Sequence, residues 1–137
     1  MKKTIILLVI ATTLFNCSSD DDTTTPDNIA EETLIGRWIL VGFEENILYE
    51  FTQDKRFDIY GVDGMFETVE EQISQGLFGL DWFYDGDKVI VDLNFGNTSL
   101  LTPQFVCSNF VINWLDAEGE IHSIIFREGF DYSLCDE

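Results

Sequence analysis

Between Leu34 and Arg127 the chain never sustains one long apolar segment. Short runs rich in β-branched and aromatic residues are each closed by a turn signal. Strand-length runs bounded by Gly, Asn and Asp are the pattern of an all-β domain. Ile35–Phe43 opens the series and is cut by the polar stretch Glu44-Glu45-Asn46. Ile47–Thr52 then alternates, with Ile47, Tyr49 and Phe51 on one face and Leu48, Glu50 and Thr52 on the other. Gln53-Asp54-Lys55 turns the chain into Arg56–Gly61, whose apolar side carries Phe57 and Ile59. Two hairpins in succession make a meander.

Residues 64–76 break the rhythm. Met65, Val69, Ile73 and Leu77 recur at every fourth position with glutamates between them, a helical period. The spacing predicts a short helix over 64–76, with a strand at Met65–Val69 as the alternative. Strand signals return at Gly79–Tyr84, and Asp85-Gly86-Asp87 is a sharp hairpin signal because Asp-Gly readily supplies positive φ. Val89, Val91, Leu93 and Phe95 alternate against polar residues up to Gly96-Asn97. Ser99–Leu101 reads as a short strand before Pro103, then Phe105–Leu115 as the next, and Glu120–Arg127 follows the turn Asp116–Gly119. Seven or eight sequential antiparallel strands leave no exposed edge if they close on themselves. The expected fold is therefore an all-β, antiparallel up-and-down barrel of about eight strands, with a half-open barrel or a β-sandwich as the alternatives.

The N-terminus reads as an address. Lys2 and Lys3 precede the apolar run Ile5–Ala11, the layout of a secretory leader and too short for a spanning helix. Leu14-Phe15-Asn16-Cys17 resembles the lipobox of bacterial lipoproteins, although Asn16 stands where a small residue is usual. That resemblance implies a signal peptide over 1–16 and a lipidated Cys17 as first residue of the mature chain. Ser18-Ser19-Asp20-Asp21-Asp22 resembles a surface-export signal found in one large group of Gram-negative bacteria, and a plain acidic spacer is the alternative. Polar residues continue to Glu32 with Pro26 and no periodicity, so 17–32 reads as a flexible acidic tether and 33–137 as the barrel domain. The implied location is the cell envelope, lipid-anchored at the outer membrane.

Gly36-Arg37-Trp38 opens the first strand, and Arg127 stands near the end of the last. The tripeptide resembles the Gly-X-Trp hallmark of the lipocalin superfamily, and the domain is similar to lipocalin-like lipoproteins of Gram-negative bacteria. The resemblance implies that Arg127 lies across the Trp38 indole, with Gly36 leaving room, to close the barrel base. The other loop motifs of true lipocalins are missing.

With Cys17 assigned to lipid, Cys107 and Cys135 remain, and an oxidising compartment favours one disulfide between them over two free thiols. No Cys-x-x-Cys spacing points to redox work. His122 is the single histidine and has no partner identifiable by spacing. Neither a calcium-loop motif nor a nucleophile elbow occurs, so no metal, cofactor or catalytic residue is expected. The formal net charge of −19 argues against nucleic acid and points to cationic partners. Tyr49, Phe51, Phe57, Trp82, Tyr84 and Trp114 are candidates to line a cavity, or equally to fill the core. The expected function is a membrane-anchored module binding a small apolar ligand inside the barrel. The alternative is a filled barrel whose acidic surface docks a cationic envelope or extracellular protein.

Overall fold

The computed structural model describes residues 33–135; the leader, Cys17 and the whole of the tether lie outside them. Eight strands follow one another: β1 (Gly36–Leu40), β2 (Ile47–Phe51), β3 (Lys55–Tyr60), β4 (Leu80–Asp85), β5 (Lys88–Asp92), β6 (Thr98–Val106), β7 (Val111–Leu115) and β8 (Ile121–Arg127). One helix, α1 (Val69–Ser74), interrupts them between β3 and β4. Each strand pairs antiparallel with the next, and β8 returns to β1 through Trp38↔Arg127, Ile39↔Phe126 and Leu40↔Ile125. The sheet is thus a closed barrel in sequential order, not a sandwich.

Up-and-down connectivity sorts the loops into two ends. Thr33–Ile35, the β2–β3, β4–β5 and β6–β7 turns and the C-terminal tail share the N-terminal end. The β1–β2, β5–β6 and β7–β8 connections, with the first residues after β3, share the distal end.

Alternation builds two cores. Inside the barrel, Leu34, Trp38, Phe51, Trp82, Val89, Val91, Ile112, Trp114 and Ile125 form one buried cluster. The opposite phase of β2 and β3 points outward, where apolar side chains need a cover. Leu48, Phe57, Ile59 and Val69 supply a second buried cluster, flanked by Ile39 and Phe66. Helix α1 is that cover. It is six residues long, too short to persist alone, and is started by a capping box: Thr68 Oγ1 accepts from the Glu71 amide at 3.3 Å, and Glu71 Oε2 accepts from the Thr68 amide at 2.8 Å. Val69 then buries against the barrel wall.

Three sequence expectations need correction. The helix occupies only Val69–Ser74 of the expected 64–76, because Val62 and Met65 pair in a tight turn of their own. Pro103 does not separate two strands; β6 runs through it to Val106. It lies beyond the last β5 pair, Val89↔Leu101, where a missing N–H removes no ladder bond on that side. The real break falls at Cys107–Asn109, three residues with positive φ of 49, 55 and 68°. Finally, the alternation through Leu93 and Phe95 stops at Asp92, and the chain turns at Asn94 and Phe95 with φ of 68 and 55°.

Candidate functional site

At the N-terminal end, closure is a matter of three residues. Trp38 is fully buried, and its indole Nε1 donates to the Leu34 carbonyl at 2.7 Å. The Arg127 guanidinium lies 4.0 Å from the Trp38 ring centroid. Its Nη1 donates to the Ile35 carbonyl at 2.6 Å, and its Nη2 donates to the Thr33 carbonyl. Burial pushes the Arg127 pKa down, since the charge is solvated here by carbonyls and not by a carboxylate. At Gly36, with φ of +126°, an added Cβ would sit 2.2 Å from Arg127 Nη1. The geometry is that of a plug. Next to it on the outer surface, burial works against the charge of Arg37, but Glu128 and Glu50 outweigh it and raise its pKa. Their oxygens stand 2.7 and 2.8 Å away.

The C-terminal tail is fastened to the same end. Cys107 and Cys135 form a disulfide with Cα atoms 5.6 Å apart, within the span such a bond requires. Phe110 stacks on Phe130 and Phe126 on Tyr132.

The barrel interior above the plug is nearly full. A cavity of about 100 Å³ remains, and among its walls are Tyr49, Phe51, Arg56, Trp114 and His122. An apolar cavity of about 150 Å³ just admits benzene, so this volume suits water or a small fragment. Of the six candidate cavity residues, Tyr49, Phe51 and Trp114 line it. Trp82 and Tyr84 pack into the interior core instead, edge to face with one another at 6.0 Å. Phe57 is on the outer face, because its register opposite Glu50 puts it in phase with Leu48 and Ile59.

The residues that do share the phase of Tyr49 and Phe51 are Arg56 and Asp58, through the pairs Phe51↔Arg56 and Tyr49↔Asp58. Arg56 Nη2 donates to Asp58 Oδ2 at 2.8 Å. Arg56 Nε lies 2.7 Å from Asp58 Oδ1, an approach too bent for a hydrogen bond, so charge alone holds those two atoms. The guanidinium sits 5.0 Å from the Tyr49 ring centroid. Burial, with Asp58 nearby, pushes the Tyr49 phenol pKa up. An ion pair turned toward a barrel interior is costly to desolvate and marks this part of the wall as chemically distinct.

A larger space adjoins that pair. β3 meets β4 only at Lys55↔Asp81 and Arg56↔Leu80. Gly79 permits the approach, since a Cβ there would lie 2.8 Å from both Lys55 Cβ and the Phe57 ring. Farther along β3 the wall parts, and the α1–β4 connection stands across the gap. The resulting cleft has a volume of about 390 Å³ and is lined by Arg56, Phe57, Asp58, Tyr60, Gln72, Leu77, Phe78 and Leu80. That is the size range of small-molecule sites. Gln72 is buried and its amide donates to Glu67, which fixes the helix side of the cleft. Leu77 and Phe78, 48% and 85% exposed, form an apolar lip.

Sequence reading missed this cleft. The available signal was the charged pair Arg56-x-Asp58 in the phase opposite Phe57 and Ile59. Among the described residues, no group of three or more His, Cys, Asp or Glu is placed to hold a metal ion. Comparison with known proteins finds no matching family model, no similar curated protein and no similar solved structure.

Proposed function

We propose that the chain is a lipocalin-like, lipid-anchored binding module of the cell envelope, and that its ligand is a small, mainly apolar molecule with one polar end. The observation that carries this reading is the 390 Å³ cleft, whose apolar lip leads inward to the Arg56–Asp58 pair. The inner cavity is too small to be the main compartment. A ligand entering through the wall would cover Leu77 and Phe78, rest on Tyr60 and Leu80, and place its polar end by Arg56 or Gln72. Cys17 is the proposed lipid attachment, which would tether the barrel by its N-terminal end and hold the barrel at the outer membrane.

Native mass spectrometry of the chain purified from its own source tests the ligand. A bound small-molecule mass that is lost in Leu77→Ser/Phe78→Ser supports the cleft. A chain without bound mass, whose fluorescence titration with 1-anilinonaphthalene-8-sulfonate is unaffected by that variant, refutes it. Palmitate labelling abolished by Cys17→Ala tests the anchor separately.

A further inference from the structure

The two ends of the barrel differ in charge and in apolar exposure. Among the described residues, Arg37, Lys55, Lys88 and Arg127 stand at the N-terminal ends of β1, β3 and β5 and at the last residue of β8. All four therefore lie toward the N-terminal end, and Arg56 points into the barrel. The distal loops 41–46, 61–66, 93–97 and 116–120 contain no Lys or Arg. They hold Glu44, Glu45, Asp63, Asp116, Glu118 and Glu120.

The same end exposes large apolar side chains. Phe43 is 52% exposed, Val62 68%, Met65 73%, Leu93 41%, Phe95 100% and Ile121 53%. They come from three separate connections and, for Ile121, from the first residue of β8, all of which the topology brings to one end. None of them lines the side cleft. Apolar residues gathered on one face, rimmed by polar ones, mark interaction surfaces, and Phe and Met are favoured in interface centres.

We propose that the distal end is a docking surface for a cationic, amphipathic segment of a protein or peptide. Apolar anchors of that segment pack among Phe43, Val62, Met65, Leu93, Phe95 and Ile121, while its lysines or arginines face the surrounding carboxylates. Charge decides the occupant. A second copy of this chain would set carboxylates against carboxylates, and an anionic membrane would be repelled for the same reason. A cationic segment gains both terms at once.

The test is an NMR titration of the full chain with two synthetic peptides of equal length and positive charge. One has leucine and lysine in amphipathic helical spacing; the other has serine in place of each leucine. The expected result is saturable binding of the leucine peptide, with amide shifts concentrated in residues 41–46, 61–66, 92–97 and 116–121. The serine peptide should bind at least about tenfold more weakly, the loss expected when apolar anchors are removed. Met65→Ser/Phe95→Ser removes two exposed side chains and should weaken the leucine peptide by about tenfold as well. Glu44→Gln/Glu45→Gln/Glu118→Gln should weaken it and flatten its salt dependence, whereas Asp54→Asn/Asp85→Asn/Asp87→Asn at the other end should change it by less than about twofold. The proposal is overturned if neither peptide binds or if both bind equally. It is also overturned if the shifts map elsewhere or the two charge triples weaken binding alike. Self-association through this end, or capture by phosphatidylcholine vesicles without peptide binding, would assign it to a different occupant.

Discussion

Gly36→Ala probes the plug most directly, because its effect should depend on a residue far away in sequence. The new methyl carbon would lie 2.2 Å from Arg127 Nη1, so the guanidinium must leave the Trp38 face. The variant then loses the cation–π contact, about 1 kcal/mol at a partly buried site, and two hydrogen bonds to carbonyls, about 1 kcal/mol each net. Returning the charge to water recovers some desolvation, which leaves about 2 kcal/mol for the whole Arg127 contribution. Holding alanine at φ of +126° adds about 1–3 kcal/mol of backbone strain. Gly36→Ala should therefore cost about 3–5 kcal/mol, and Arg127→Ala about 2 kcal/mol. In the double variant the methyl meets no guanidinium, so only the strain adds to the loss already made. Its cost should equal that of Gly36→Ala alone, a coupling of about 2 kcal/mol. Urea unfolding followed by tryptophan fluorescence gives all three values. Additive costs would show that Gly36 is glycine for its backbone alone and that the close approach of Arg127 is incidental.

Three further outcomes are expected. Trp38→Ala should cost about 3–5 kcal/mol, as large-to-small changes in a packed core do, measured by the same unfolding assay. Cys107→Ser/Cys135→Ser opens a loop of sequence separation 28, worth about 3.5 kcal/mol in the chain-entropy model. The Phe110–Phe130 and Phe126–Tyr132 stacks keep the tail docked in the folded variant, so the observed loss should approach that figure, about 3 kcal/mol; an unchanged urea midpoint would remove the disulfide from the account. Tyr49, whose phenol pKa is raised in the folded state, favours folding fully below its unfolded value of about 10. That contribution is lost as pH rises through the folded value. Stability should fall less steeply above pH 10 in Tyr49→Phe, and ultraviolet difference titration should lose its late-ionising phenol.

The barrel was legible because its strands are short, local and closed by turn chemistry that acts on two to four residues at a time. Asp85-Gly86-Asp87 and Asp116–Gly119 make their turns where their residue types require. The stacked pair Trp38 and Arg127 was legible only through a resemblance, since nothing in local periodicity links two residues at opposite ends of a domain. The turn at Cys107–Asn109 was not legible. It puts Cys107, Ser108 and Asn109 at positive φ without a glycine to announce it, and Pro103 drew the boundary four residues too early. Phe95 was misplaced for a related reason: alternation can continue on paper after the backbone has already turned.

The site was harder to read because both faces of β2 and β3 carry apolar residues. Leu48, Phe57 and Ile59 are as buried outside the barrel as Phe51 is within it, and more so than the half-buried Tyr49. Hydrophobicity therefore cannot assign the phase. The charged residues can, once the register is known. Glu50 and Phe57 face each other across β2–β3, and Glu50 is held by the outward Arg37, so that face is external. Arg56 and Asp58 must then point inward, where, among the described residues, no other Asp, Glu, Lys or Arg lines the inner cavity or the cleft. A wall that turned two apolar residues in at those places would pack more cheaply. Instead it leaves the barrel unzipped beyond Arg56↔Leu80, and the cleft begins at the residues where the pairing stops.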